Sequence, residues 1–174
     1  MDVKFLIDND SVRIGLDSPA VSNINRSRDV VDHVIKTKQI VYGINTGLGL
    51  LANRVISEEK LHIMQHNALL SHACGTGPRL SKRITRMILL LKINSLAMGY
   101  SGVRYELIER LIYFYNHQLW PVIPEKGSVG ASGDLVPLAH LSLPLIGEGS
   151  FLVDDTIWSA QDILTKLNIP HLNL

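Results

Sequence analysis

Gly127-Ser128-Val129-Gly130-Ala131-Ser132-Gly133-Asp134 runs straight into Leu135-Val136-Pro137-Leu138-Ala139-His140-Leu141, so a turn of very small residues opens onto an apolar stretch of helical composition. Three readings of the octapeptide compete. The ordinary one is a flexible turn before a helix, with Ser132 as N-cap and Gly133 supplying permissive backbone angles. Turns commonly have this composition. The second is a nucleophilic serine on a sharp elbow. That motif needs Gly-x-Ser-x-Gly, but Gly130-Ala131-Ser132-Gly133-Asp134 ends on Asp and no strand-like run leads into it. His72, His140 and Asp134 are available as triad partners, and nothing in the sequence places them. The third reading is self-cyclisation. In a tight bend at Ala131-Ser132-Gly133 the amide nitrogen of Gly133, unobstructed by a Cβ, can approach the carbonyl carbon of Ala131. Ring closure and dehydration of the Ser132 side chain remove two waters in all. They leave an exocyclic methylene on a five-membered ring, an electrophile the ordinary amino acids lack.

Around this turn the pattern is mostly helical. Apolar positions predict a helix from Pro19 to about Lys36, through Val21, Ile24, Val31, Val34 and Ile35. Ser57 opens a second, with Glu58 and Glu59 in its first turn and Leu61, Met64, Ala68 and Leu69 at helical spacing, ended by Gly75 to Pro78. Ser81 to about Ala97 and Val103 to about Gln118 predict two more, and Asp134 to Ile146 resumes the helical pattern. Phe151 to Trp158 reads as a short hairpin and Ser159 to Leu167 as a last helix. Near the N-terminus, Val3 to Ile7 is expected to pair with Val12 to Ile14 across an Asn9-Asp10 turn. Gln39 to Tyr42 reads as a short strand entering the glycine-rich run Tyr42-Gly-Ile-Asn-Thr-Gly-Leu-Gly49. The apolar helices carry more surface than one small domain covers, which implies burial against more chain or other subunits.

Bulk properties exclude several classes. The 174 residues suffice for one domain with a core, and a formal charge of +1 gives no field to gather nucleic acid or an anionic membrane. A single cysteine, Cys74, permits no internal disulfide and fits a reducing cytosol. Met1 to Gly15 has no signal-peptide core, and Leu135 to Gly147 is interrupted by two prolines and a histidine. The chain therefore reads as soluble and cytoplasmic. Gly43, Gly47 and Gly49 do not match a phosphate-binding loop, since no Gly-x-Gly-x-x-Gly or Gly-Lys-Ser/Thr is present, and they read instead as a backbone able to fold over a small substrate. His62 and His66 have the i, i+4 spacing of a metal pair. A zincin carries glutamate directly after the first histidine, where Ile63 stands, so no catalytic metal is expected.

The stretch from Gly127 to Leu141 resembles the signature of the ammonia-lyases that carry a methylidene-imidazolone (MIO) ring. The resemblance covers most of the chain. Tyr42 to Gly49 is similar to the family's tyrosine loop, although Leu48 stands where the family usually has Phe. Leu69-Leu70-Ser71-His72-Ala73, Ser101-Gly102-Val103-Arg104 and Leu145-Ile146-Gly147-Glu148-Gly149 resemble further family blocks in the same order.

The resemblance implies a mainly α, fumarase/aspartase-like helical fold with a small β element. It also implies that residues 1–174 form the N-terminal, MIO-bearing domain of a longer lyase, ending before the central helical bundle is complete. Ala131, Ser132 and Gly133 become the autocatalytic MIO, with no external cofactor. Tyr42 matches the base proposed to take the substrate's β-proton, and a phenol in that role needs neighbouring charge or hydrogen bonds to hold its phenolate near neutral pH. Without the glycine loop beside it, Tyr42 is an ordinary half-buried aromatic. Ser71-His72 matches the pair of histidine-type members, where phenylalanine and tyrosine types show Phe-Leu or His-Leu. An imidazole that donates one hydrogen bond and accepts another suits recognition of a second imidazole; otherwise His72 is a histidine packed at a helix end. Gly49 joins His72 as a substrate-binding position, and Asp134 is placed to assist cyclisation electrostatically. The implied reaction is deamination of L-histidine to urocanate and ammonia in a cytoplasmic homotetramer. The family's further groups, an Asn, a second Tyr with an Arg, and a Glu, fall beyond Leu174. A tyrosine or phenylalanine lyase, an aminomutase, and a non-catalytic remnant or assembly module are the other outcomes open at this point.

Overall fold

The computed structural model describes residues 3–130 and 132–174. Helix α2 (Ser18–Lys36) begins where Asp17 accepts a hydrogen bond from the Ala20 amide at 2.9 Å, with proline in the first turn. Its Ile24 and Val34 are buried. Helices α4 (Lys82–Ala97) and α5 (Tyr105–Asn116) form the centre. Leu89, Leu90 and Ile93 of α4 meet Ile108, Leu111 and Phe114 of α5 in one core, which Ile123, Phe151 and Leu164 complete from other elements. Phe114 meets Phe151 edge to face at 4.8 Å. Helix α3 (Glu58–His72) has no buried residue and lies outside this core. The fold is mainly α, as expected.

The first expected hairpin is absent. Val3–Asp8 is a helix, α1, in which Val3, Leu6 and Ile7 share one face on the core. Positions 3, 6 and 7 repeat with helical spacing, and that burial outweighs the brief alternation of the sequence. Gln39 to Tyr42 forms no strand either. Asn45 takes its backbone groups instead, accepting from the Val41 amide at 2.9 Å and donating to the Gln39 carbonyl at 2.7 Å.

The β structure lies elsewhere and is small. Strand β1 (Thr76–Arg79) pairs antiparallel with β3 (Pro124–Lys126), and β2 (Trp120–Pro121) pairs with β4 (Ser150–Val153), which pairs with β5 (Thr156–Ser159). The β4–β5 hairpin fulfils the expectation for residues 151–158. Asp154 and Asp155 both hold positive φ, 47° and 59°, as a two-residue type I′ turn requires. Helix α6 is shorter than the sequence suggests: Leu135–Ser142 is α-helical, and Leu143–Ile146, with Pro144, continues as a 3-10 turn. Helix α7 (Ala160–Lys166) closes the order, its N-terminus capped by Ser159.

Candidate active site

The turn at 127–133 connects β3 to α6. Gly127 has no room for a side chain, because a Cβ there would lie 2.5 Å from the Val136 side chain. The Ser128 hydroxyl donates to the Gly133 carbonyl, and the Ser132 carbonyl accepts from the Leu135 amide at 3.1 Å. The turn is thus folded back upon the start of its own helix, with Ser132 exposed and Gly133 half-buried. Gly133 differs from Gly127: a Cβ would meet nothing within 4 Å among the described residues, and its φ is not in the left-handed range. Neither packing against the described residues nor backbone strain demands glycine there. Ala131, the first residue of the expected tripeptide, lies outside the described residues. The N-cap expected at Ser132 falls instead on Asp134, whose side chain makes no capping bond.

The tyrosine loop is knitted to itself. Asn45 and Thr46 are buried, Gly47 donates to the Arg54 carbonyl at 2.8 Å, and Ile56 donates to the Asn45 carbonyl at 2.9 Å. Tyr42 is 62% exposed, and its phenolic oxygen accepts from the Gly49 amide at 3.3 Å. Tyr42 and Gly49, expected separately as base and substrate-binding position, are brought together, with a backbone donor aimed at the atom on which phenolate charge would sit. Gly49 makes that approach with a left-handed φ of 56°.

His72 is the last residue of α3. Its Nδ1 lies 2.6 Å from the Ala68 carbonyl, which can only accept, so Nδ1 carries a proton. In the neutral ring Nε2 is then an acceptor, turned away from that bond. Three residues on, the Gly75 amide donates to Nε2 of His140 at 3.0 Å, tying the end of α3 to α6. Burial lowers the His140 pKa from its ordinary value. Sequence reasoning weighed His140 only as a triad partner. The signal that locates it here is a histidine within the apolar run of α6, opposite a glycine that ends another helix.

Several expected groups are not joined. Among the described residues no hydrogen bond links Tyr42 or His72 to the 127–133 turn, and neither His72 nor His140 bonds to Ser132. His62 and His66 line a cavity of about 510 Å³ with His171 and Ile146, away from the turn. Among the described residues no cluster of His, Cys, Asp or Glu is disposed to hold a metal ion. Within the same residues no helix is long and apolar enough to cross a membrane.

A helical body that presents a small-residue turn at the head of α6, a separate tyrosine loop and a histidine at the end of α3 is the architecture of the ammonia-lyase fold. Histidine ammonia-lyase from Trypanosoma cruzi superposes on it with a TM-score of 0.89 at 32% identity, over 99% of this chain and 33% of that one. The ergothioneine-degrading enzyme of Treponema denticola superposes at 0.93 with 26% identity, over 99% of this chain and 34% of that one. The chain belongs to the aromatic amino acid lyase family, whose sequence model matches residues 2–174. Among its curated relatives, a histidine ammonia-lyase of Legionella pneumophila (strain Lens) is 51% identical over all 174 residues, which cover 34% of that protein. The chain spans about a third of the length of the curated relatives it matches.

Proposed function

We propose that the protein containing this chain is a carbon–nitrogen lyase that converts L-histidine to urocanate and ammonia, its electrophile built from Ala131, Ser132 and Gly133. The observation that carries the reading is the state of Ser132 and Gly133. An exposed serine precedes a glycine that neither packing nor φ requires, in a turn held closed by Ser128. A glycine without an architectural reason is accounted for by chemistry: its bare amide nitrogen is the nucleophile of ring closure, and a Cβ would obstruct it. The ring, once formed, supplies an electron-poor alkene on which the amino acid's ammonia becomes a better leaving group.

The chain's own residues take the remaining roles assigned to it. Tyr42, with the Gly49 amide on its oxygen, serves as the base for the substrate's β-proton. His72 offers Nε2 to the N–H of the substrate imidazole, while Ala68 fixes its tautomer. Tyr42 is exposed and His72 half-buried on this chain, which suits a site completed by further residues of the same protein and by other copies in a homo-oligomer, as in the tetramer the sequence resemblance implies. Residues 1–174 act in this reading as the ring-bearing N-terminal domain of that longer lyase.

The experiment is direct. Full-length protein is expected to weigh two waters less than its sequence and to form urocanate from histidine. The Gly133→Ala variant is expected to fold normally, yet to retain both waters and lose roughly a thousandfold or more in turnover, the scale of removing a reacting group. An intact, unshifted mass in an active enzyme defeats the proposal. A ring-bearing protein that leaves histidine untouched and deaminates tyrosine or phenylalanine moves the substrate assignment away from His72.

A further inference from the structure

Three parts of the chain converge on Gly75. The end of α3 arrives through Ala73 and Cys74, where the Cys74 N–H donates a hydrogen bond to the His72 carbonyl at 2.9 Å. The approach from β3 arrives through Pro124 and Gly127. A Cβ at Gly75 would lie 3.1 Å from the Pro124 Cβ, and one at Gly127 would lie 3.3 Å from the Gly75 Cα. Helix α6 arrives through His140, whose Nε2 would be 2.9 Å from that same Gly75 Cβ. The junction has no space for a side chain on Gly75. Across it the Gly75 N–H donates to Nε2 of His140 at 3.0 Å.

We infer that His140 is a positioning residue for substrate recognition: by accepting the Gly75 N–H, it sets the place of His72 relative to the Ser132–Gly133 turn. The inference rests on the lyase reading proposed above and adds a residue to it. His72 is three residues before the clasp along a tightly held segment, and the turn lies immediately before the helix that carries His140. A loosened clasp therefore displaces the imidazole-recognising ring from the electrophile while leaving the turn's own contacts, Ser128 to Gly133 and Leu135 to Ser132, intact. The bond requires Nε2 to be unprotonated, so the working form is the neutral ring with its proton on Nδ1. Burial of the ring acts in the same direction.

Two substitutions in the full-length protein separate this role from a structural one. In His140→Gln the side-chain carbonyl oxygen falls about where Nε2 lies and can accept the Gly75 amide. In His140→Asn the side chain reproduces only the Nδ1 edge and is too short to reach. The readouts are intact mass, urocanate binding by calorimetry, and the KM and kcat for histidine. H140N is expected to keep the two-water loss and to weaken both urocanate Kd and KM about tenfold, the effect of one unmade, partly buried hydrogen bond, with kcat less affected. H140Q is expected to return to wild-type binding. Gly75→Ala, which crowds the clasp from the other side, is expected to reproduce the H140N defect.

H140N protein that binds urocanate like wild type overturns the inference, as does H140Q protein that fails to the same degree as H140N. A merely structural histidine would lower the yield of folded protein and leave KM and Kd of the folded fraction unchanged. Wild-type protein that neither loses two waters nor binds urocanate sinks the lyase reading itself, a result distinct from any of these.

Discussion

Glycines and histidines divide the work of this chain in ways that their composition conceals. Gly75 and Gly127 are glycine because neighbouring atoms occupy the place of a side chain, whereas Gly133 has open space around it and an ordinary backbone. The histidines divide similarly. His72 spends Nδ1 on a carbonyl and leaves its other nitrogen available, while His140, half-buried, spends Nε2 on an amide at a junction. That difference has a consequence for acid stability. Burial lowers the His140 pKa, so the unfolded chain, with an ordinary histidine near about 6.5, binds a proton more readily than the folded one. Stability from this group is complete above that ordinary value and declines as pH falls through the window below it. Thermal melts from neutral pH downward are expected to show a steeper acid decline for wild type than for His140→Gln, which has no titrating ring. Parallel curves for the two proteins would remove His140 from the acid limb.

At the scale of elements, what was legible in the sequence depended on whether local and tertiary signals agreed. Helix α2 was readable because the aspartate cap, the proline of the first turn and the apolar spacing all point to one start. The β4–β5 hairpin was readable because its strand residues flank a compact two-aspartate turn. Strands β1, β2 and β3 were not, since prolines 78, 121 and 124 read as helix stops, whereas short two-strand pairings and sheet edges tolerate them. Of the candidate site, the tyrosine loop and the bent turn at Ser132–Gly133 follow from quoted motifs, whereas the contact of Tyr42 with the Gly49 amide does not. The His140–Gly75 clasp joins positions 65 residues apart, and no local pattern announces it. Helix α1 was misread because its fixed point is remote. Arg86, 2% exposed, donates to the carbonyls of Ile7 and Asn9, pairs with Asp10 and bonds to the Tyr115 hydroxyl at 3.1 Å. Its guanidinium also stacks within 5.2 Å of the Tyr115 ring. Replacing it by Ala strands these acceptors and unfastens α1 from α4. The expected loss is about 3 kcal/mol in urea unfolding, with early proteolysis ahead of residue 12. Arg86→Lys is expected to fall between, keeping the charge and losing the fork. Unfolding unchanged by either substitution would show that α1 is held by its apolar face alone.

Over the whole chain the distribution of apolar surface is uneven. The α4–α5 core is closed, yet Leu50 is fully exposed, Tyr100 and Val129 nearly so, and Tyr42 and Ser132 stand at the surface. Tyr42 belongs to the tyrosine loop, Leu50 follows it directly, and Val129 belongs to the 127–133 turn, so part of the uncovered apolar surface lies beside the proposed chemistry. A charged intermediate handled at such exposed positions would compete with water, whereas catalysis by an electron-poor alkene and a phenolate gains from its exclusion. In the proposed lyase the covering comes from further chain or from other copies. Residues 1–174 produced alone are accordingly expected to self-associate, to bind an apolar dye and to form no urocanate. Full-length protein should run as a discrete oligomer, bind little dye and turn histidine over. Light scattering and absorbance of the product measure both sides of the comparison. Adding the remaining polypeptide in trans should lower dye binding and restore urocanate formation together, because a single covering event does both. A monodisperse, dye-free monomer of these residues with undiminished turnover would mean that the exposed apolar positions have nothing to do with completing the site.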